Sequence, residues 1–487
     1  MSWNKNVVGY LTWFLYTLAT GALLTGAAGT LCTAAGLPAA AGYLAGAAYA
    51  AVAGALVYGI RRLSSGPAAW KEKRGGLFLA LEAFLVLALL AAGVFLRARQ
   101  AGDAQPSSVY YDMAEVVAGG RLPWKVHGAS HFYIRMLHLV FTLAGNQYMA
   151  GIWLQIVLQT GAFLGLFFVL RSLYGRAAAL TVFGFGMCGP YMRESCMVLS
   201  PEILYFCIFT AALALAVRTR KGKLNPVAFL FAGILAAFCI YLDVAGVLIL
   251  ILVCWTVFCI RDADPGRRKK LAALGLCLTG ALLGLLACVS IDVLASGKSF
   301  QGVITAWLWL YRPGDFHIPF AVGGGNSLPE SFALTGMMTF GIYSFWCDRQ
   351  AERISVWLAA ACAVVLAVCG GVPIEDMPGF YYLYLLCTIL AGLGVGAMFT
   401  GRKAECVQEA AQDDSFAEDG LEITDLEEGR ASGTGENTSG GKQIKYIENP
   451  LPLPRKHVKR ELDYPLRTLP ENDDFDHPVS REDDFDI

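Results

Sequence analysis

Residues 103–147 interrupt an otherwise apolar chain, and there Asp103, Asp112, Glu115, His127, His131, Arg135 and His138 stand among aromatic side chains. Asp112 and Glu115 are three positions apart. On a helix that spacing puts both carboxyls on one face, close enough to work as acid and base or to hold a cation. Asp103 comes just after a long apolar run, at the height where water meets lipid headgroups. A carboxylate there can take a proton from an attacking hydroxyl. Taken singly, each of these acids also reads as an ordinary solvated charge of a surface loop. His131, Arg135 and His138 recur at helical spacing, which makes them candidates for holding a polar substrate. The three histidines match no established zinc spacing, so no metal ligand is assigned, and a divalent ion stays the minor alternative.

These side chains need elements to position them. Pro106, Ser107 and Ser108 have the character of a helix start with a serine cap, and Gly119-Gly120 supplies a stop. After Leu122-Pro123-Trp124, the residues from Ser130 to Ala144 form a second helical pattern. Its Phe132, Leu137, Val140 and Phe141 cover an apolar side opposite the polar stripe. Such a helix lies in a membrane interface.

The chain around this loop has 487 residues, 56% of them hydrophobic and only 16% charged. The fold class expected is an all-α polytopic membrane protein, because charged residues make up about a quarter of ordinary soluble chains. Spans are expected near 7–29, 33–60, 76–96, 148–170, 177–190, 197–217, 226–242, 244–260, 271–294, 331–347, 354–370 and 380–400. Arg61, Arg62, Lys71, Lys73, Arg74, Arg171, Arg176, Arg218, Arg220, Lys221 and Lys223 then fall on one side of the membrane. Arg267, Arg268, Lys269, Lys270, Arg349, Arg353, Arg402 and Lys403 fall on that side too. The positive-inside rule makes it cytoplasmic, which places both termini inside and the loops 98–147, 295–330 and 371–379 outside. A formal net charge of -1 with this distribution suggests no nucleic-acid partner.

Three parts are expected: 1–75, with two additional N-terminal spans and a cytoplasmic loop; a membrane core over 76–400; and a cytoplasmic tail over 401–487. The tail has the composition of a segment that cannot bury a core. Its Pro450–Pro454 stretch, followed by Arg455, Lys456, Lys459 and Arg460, offers two readings. One is a polyproline ligand for a cytoplasmic partner, the other a basic patch against anionic headgroups. Most of the 14 cysteines lie inside apolar runs and read as small core residues, though Cys188 and Cys196 flank one short turn and are spaced to pair.

Charges near the ends of later spans add further candidates. Arg193 and Glu194 follow Pro190 in a turn, and Glu202 opens the next span. Carboxylates at such depth are costly unless paired or facing water, and Arg193 with Glu202 is the expected couple. Asp243 interrupts an apolar hairpin, as a helix cap or as a functional group. Arg312 follows Trp307, Trp309 and Tyr311, and its guanidinium can clamp a phosphate bidentately.

Tyr110-Tyr111-Asp112-Met113-Ala114, Gly119-Gly120, Pro123, Tyr133 and Gly145-Asn146 together resemble the first external loop of GT-C membrane glycosyltransferases. The protein mannosyltransferase and aminoarabinose transferase branch is the most similar. Leu170–Ala179, Leu199–Leu204 and Gly379–Leu383 extend the resemblance over roughly residues 76–400. It implies a GT-C-like core with external juxtamembrane helices, and a sugar held on a polyprenyl phosphate and passed to an extracytoplasmic glycan, lipid or protein acceptor. The lipid-linked donor takes the place of a cofactor, and a bacterial plasma membrane is the location expected, though a eukaryotic reticulum would give the same charge pattern. Asp103 or Asp112 would activate the acceptor, because this chain has Ser107 and Ser108 where that branch carries its catalytic Asp. Glu115, His131, Arg135, His138, Arg193, Glu202, Asp243 and Arg312 would bind substrate. Two rivals stand beside this expectation. One is a transporter of similar span number; the other is a relative that has lost catalysis and acts in envelope assembly.

Overall fold

The structure is a computed structural model that describes residues 5–38, 40–63, 75–102, 109–118, 128–145, 147–220, 224–242, 245–260, 266–309, 328–347, 353–369 and 381–398. All regular structure among them is helical. In chain order the helices are α1 (Lys5–Ala34), α2 (Ala41–Leu63), α3 (Gly75–Ala101), α4 (Val109–Ala118) and α5 (Gly128–Ala144). Next come α6 (Tyr148–Tyr174), α7 (Arg176–Cys188), α8 (Pro190–Ser195), α9 (Glu202–Arg220), α10 (Pro226–Leu242) and α11 (Gly246–Thr256). The series ends with α12 (Arg267–Ser296), α13 (Phe300–Trp309), α14 (Leu328–Cys347), α15 (Arg353–Cys369) and α16 (Tyr381–Met398).

Six of these helices contain stretches long and apolar enough to cross a membrane: Val7–Thr33, Leu79–Ala101, Tyr148–Tyr174, Glu202–Arg220, Arg267–Leu294 and Tyr381–Met398. Apolar helices of shorter length accompany them, among them Arg176–Cys188, Pro226–Leu242 and Arg353–Ala367. The chain is therefore a helical, membrane-embedded protein. Phe84, Leu87 and Phe95 of α3 point outward, where hydrocarbon would cover them at no cost.

At the centre lies α16, almost wholly buried. Small residues let its neighbours approach. Gly392 and Gly396 leave room for Ala178 of α7, and Gly394 for the Met337 carbonyl of α14. Helix α1 belongs to the same bundle: the Tyr16 hydroxyl sits between the carbonyls of Met338 (2.7 Å) and Leu390 (2.9 Å). Trp13 donates its indole N–H to the Ile342 carbonyl at 3.0 Å. A second layer forms where α10 lies along α12, with Gly233 and Gly280 each facing a carbonyl of the partner helix. Close backbone approach of this kind is how helices associate without a hydrophobic driving force between them.

The two ends of the bundle differ in chemistry. At one end α6 turns into α7 through Gly175 alone, whose φ of 87° suits a residue without Cβ. Glu82 of α3, 6% exposed, lies there between Arg171 (2.6 Å) and Arg176 (3.1 Å). At the other end, where α3 finishes and α6 begins, the short helices α4 and α5 fold onto the bundle.

A candidate site at the broken span

The predicted helices of the polar loop are present: α4 covers 109–118 and α5 covers 128–144. Aromatic rings hold them down. Tyr110 packs edge-on to Tyr133 with centroids 5.8 Å apart, and Tyr111 packs against both Phe141 (5.6 Å) and Tyr148 (5.3 Å). Tyr133 is fully buried, and its hydroxyl accepts a 2.8 Å hydrogen bond from Gln155 of α6. The same Gln155 amide donates to the Val198 carbonyl at 2.9 Å, while the Tyr148 hydroxyl donates to the Met197 carbonyl at 2.8 Å. The loop 196–201 is thus the floor on which α5 rests.

On this pair of helices Asp112 is exposed, as is Arg135. His138 is half-buried, and its Nδ1 is enclosed without a hydrogen-bond partner. Glu115 and His131 sit on α4 and α5, their side chains outside the described residues. Asp103, His127, Asp243 and Arg312 also lie outside the described residues, as do Ser107 and Ser108.

One step deeper, α7 stops at Cys188, and Pro190 opens a further helical turn, α8, where the sequence suggested only a loop. Proline at the first helical position needs no N–H there, so it can both end one helix and begin the next. It also leaves the Gly186 carbonyl without its usual donor. Arg97 of α3 supplies the replacement, donating to Gly186 O at 2.7 Å and Met187 O at 2.5 Å. Its Nε and Nη2 converge on Gln159 Oε1 at 3.1 and 2.7 Å. Arg97 is 0% exposed and donates to the Gly93, Gly186 and Met187 carbonyls and to Gln159 Oε1, a cation set on the negative end of a helix.

The other side of the break carries the opposite charge. Glu330, 7% exposed in the first turn of α14, accepts the Tyr191 N–H at 3.3 Å on Oε2 and the Tyr384 hydroxyl on Oε1. Gly189 makes this approach possible, since a Cβ there would lie 2.5 Å from Glu330 Oε1 and 2.7 Å from the Tyr384 hydroxyl. Arg193 and Glu194 of α8 are within electrostatic reach of Glu330.

Gln159 ties the two sides together. Its Nε2 faces Ser195 Oγ (3.3 Å), the Tyr381 hydroxyl (3.4 Å) and Met192 Sδ (3.7 Å), while Cys196 donates its thiol to Oε1 at 2.7 Å. Cys188 and Cys196, spaced to pair, are both free thiols.

Of the predicted binding residues, Arg193 and Glu202 fall at this break. Arg193 faces Glu330 and Cys188, and Glu202, the first residue of α9, lies within electrostatic reach of the Tyr381 hydroxyl. Arg97, Gln155, Gln159, Glu330, Tyr381 and Tyr384 were not foreseen. The one signal for them was the shortness of the fifth apolar run before Pro190. Among the described residues, no three His, Cys, Asp or Glu side chains gather closely enough to hold a metal ion. Neither a family model, a curated protein nor a solved structure matches the chain.

Proposed function

We propose that the protein is a membrane glycosyltransferase that moves a sugar from a polyprenyl-phosphate donor to an acceptor on the non-cytoplasmic face. The carrying observation is the pair α4 and α5, set between α3 and α6 and docked by aromatic contacts, with Asp112 facing solvent at the bundle end. A carboxylate there can draw a proton from an acceptor hydroxyl or amine while a lipid-borne donor waits at headgroup height. Asp112 or Asp103 is assigned that role, and Glu115, His131, Arg135 and His138 are assigned to substrate binding. Arg193, Glu202, Asp243 and Arg312 are assigned to substrate binding as well, the cationic groups to stabilise the departing phosphate. Arg171 and Arg176 sit at the opposite end with Glu82, which supports an external α4–α5 pair; cytoplasmic termini and a twelve-span arrangement over a GT-C-like core belong to the same proposal. The plasma membrane is the proposed location, and the acceptor is an envelope glycan, lipid or protein.

A transporter is the second reading, favoured by one observation: the span α7–α8 is discontinuous, and its two facing ends are met by Arg97 and Glu330. Transporters build substrate sites at such breaks. The two readings separate in one preparation. The purified full chain in lipid is given candidate polyprenyl-phosphate sugars, and release of polyprenyl phosphate is followed. Turnover by wild type that drops at least about a hundredfold in Asp103→Asn or Asp112→Asn supports the transferase. Unchanged turnover in both variants removes that catalytic assignment, and no turnover with any donor moves the reading to transport or to a relative that has lost catalysis.

A further inference from the structure

A continuous helix carries its own backbone hydrogen bonds, so its halves move together. The span that contains Gly189-Pro190 cannot, because Pro190 has no N–H to return to Gly186 and the Tyr191 N–H is directed to Glu330. Side chains from three other helices close the gap instead. Arg97 of α3 holds the α7 stub, Glu330 of α14 holds the first turn of α8, and Gln159 of α6 holds the end of α8 through Ser195 and Cys196. Arg97 and α8 share that one glutamine amide. Loss of either neighbour therefore weakens the grip on the other.

What α8 leads into gives the break a consequence. Residues 196–201 carry the Met197 and Val198 carbonyls that receive Tyr148 and Gln155, and Gln155 in turn holds Tyr133. Any swing of α8 shifts the floor under α5 and, through Tyr110 and Tyr133, under α4. We propose that residues 190–201 form a movable half-span, hinged at Gly189-Pro190 and latched by Arg97, Glu330 and Gln159, whose release repositions α4 and α5. Hinges of this sort concentrate a large motion in a few residues at element ends. The inference stands apart from the reaction assigned above, since it concerns only how the half-span is held.

Cys196 reports the state of the latch. It is 1% exposed while the latch is closed, and freeing 196–201 brings its thiol to water. The full chain in lipid vesicles is treated with a water-soluble methanethiosulfonate, and labelling of Cys196 and of Cys239, buried between α10 and its neighbours, is followed by peptide mass spectrometry. Glu330→Gln removes one charge-assisted hydrogen bond and should speed Cys196 labelling about tenfold or more. Pro190→Ala restores the missing N–H and should slow it about threefold below wild type. Hydrogen exchange in 128–144 should rise in Glu330→Gln alongside the labelling. Two outcomes overturn the latch: Cys196 rates equal in wild type and both variants, or Cys196 and Cys239 rising together, which marks general loosening. Because the two variants are expected to move the rate in opposite directions, a variant that merely fails to fold cannot imitate the result.

Discussion

Glu82 and Arg97 sit on one helix, four turns apart, and each is buried, yet the protein compensates them in opposite ways. Glu82 meets two arginines whose side chains are 34% and 48% exposed, so this is charge against charge at a wet boundary. Arg97 meets backbone carbonyls and a glutamine, so its compensation comes from oriented dipoles in a dry interior. The first arrangement can exchange partners for water. The second has nowhere to turn, since a dipole set around one cation offers little to any other side chain. Burial alone therefore does not rank these residues; what remains when each is removed does.

Arg97→Ala gives the largest expected effect. It strands the Gly186 and Met187 carbonyls in the interior, while Gln159 Oε1 keeps the Cys196 thiol, which costs about 2–6 kcal/mol at roughly 1–3 kcal/mol for each buried group left unpaired. Arg97→Lys keeps the charge without the fork and should recover less than half. Detergent-solubilised thermal unfolding measures both, and an Arg97→Ala variant as stable as wild type would show that the carbonyls find water.

Glu82→Gln is the milder counterpart. Arg171 and Arg176 reach solvent once the carboxylate is gone, so about 1–2 kcal/mol is expected. Ionic strength sharpens the contrast. Between about 0.05 and 0.5 M salt the Glu82→Gln penalty should shrink by roughly half, while that of Arg97→Ala holds, because mobile ions screen exposed pairs far better than buried ones. Equal salt dependence in the two variants would put both regions in the same dielectric setting and end the distinction.

The sequence shows this contrast poorly, for physical reasons. Helices α4 and α5 were legible because cap residues and apolar spacing act locally, and the six long apolar helices followed from apolar length. Arg97 was not, since an arginine near the end of an apolar run, with Arg99 two residues on, reads as a side chain snorkelling to the interface. Gln155 and Gln159 carry no charge to draw notice, and their roles depend on partners more than 20 residues away in sequence. Glu330 looked like the last residue of an external loop. Only the break at Pro190, on a different helix, explains why a carboxyl is buried there. The pairing of Arg193 with Glu202 rested on sequence proximity, and the fold adds what proximity could not show, Glu330 within electrostatic reach of Arg193 and Tyr381 within that of Glu202.

Tyr133→Phe tests how far the dry region extends toward α4 and α5, and its effect should be the smallest. The substitution keeps the ring against Tyr110 and removes the hydroxyl that accepts from the Ser200 backbone and from Gln155, whose amide still has the Val198 carbonyl. A loss of about 0.5–1.5 kcal/mol follows, because Gln155 keeps a second partner and Ser200 lies in a half-buried loop. That is too little to move the whole bundle, so the readout is local: hydrogen exchange should quicken by about tenfold or less over 128–144 and stay unchanged over 381–398. If exchange in both segments rose together, the α5 floor would be part of the central core and not a surface that α5 rests upon. If neither changed, aromatic packing alone would hold α5, and the Gln155 contact would belong to the loop 196–201.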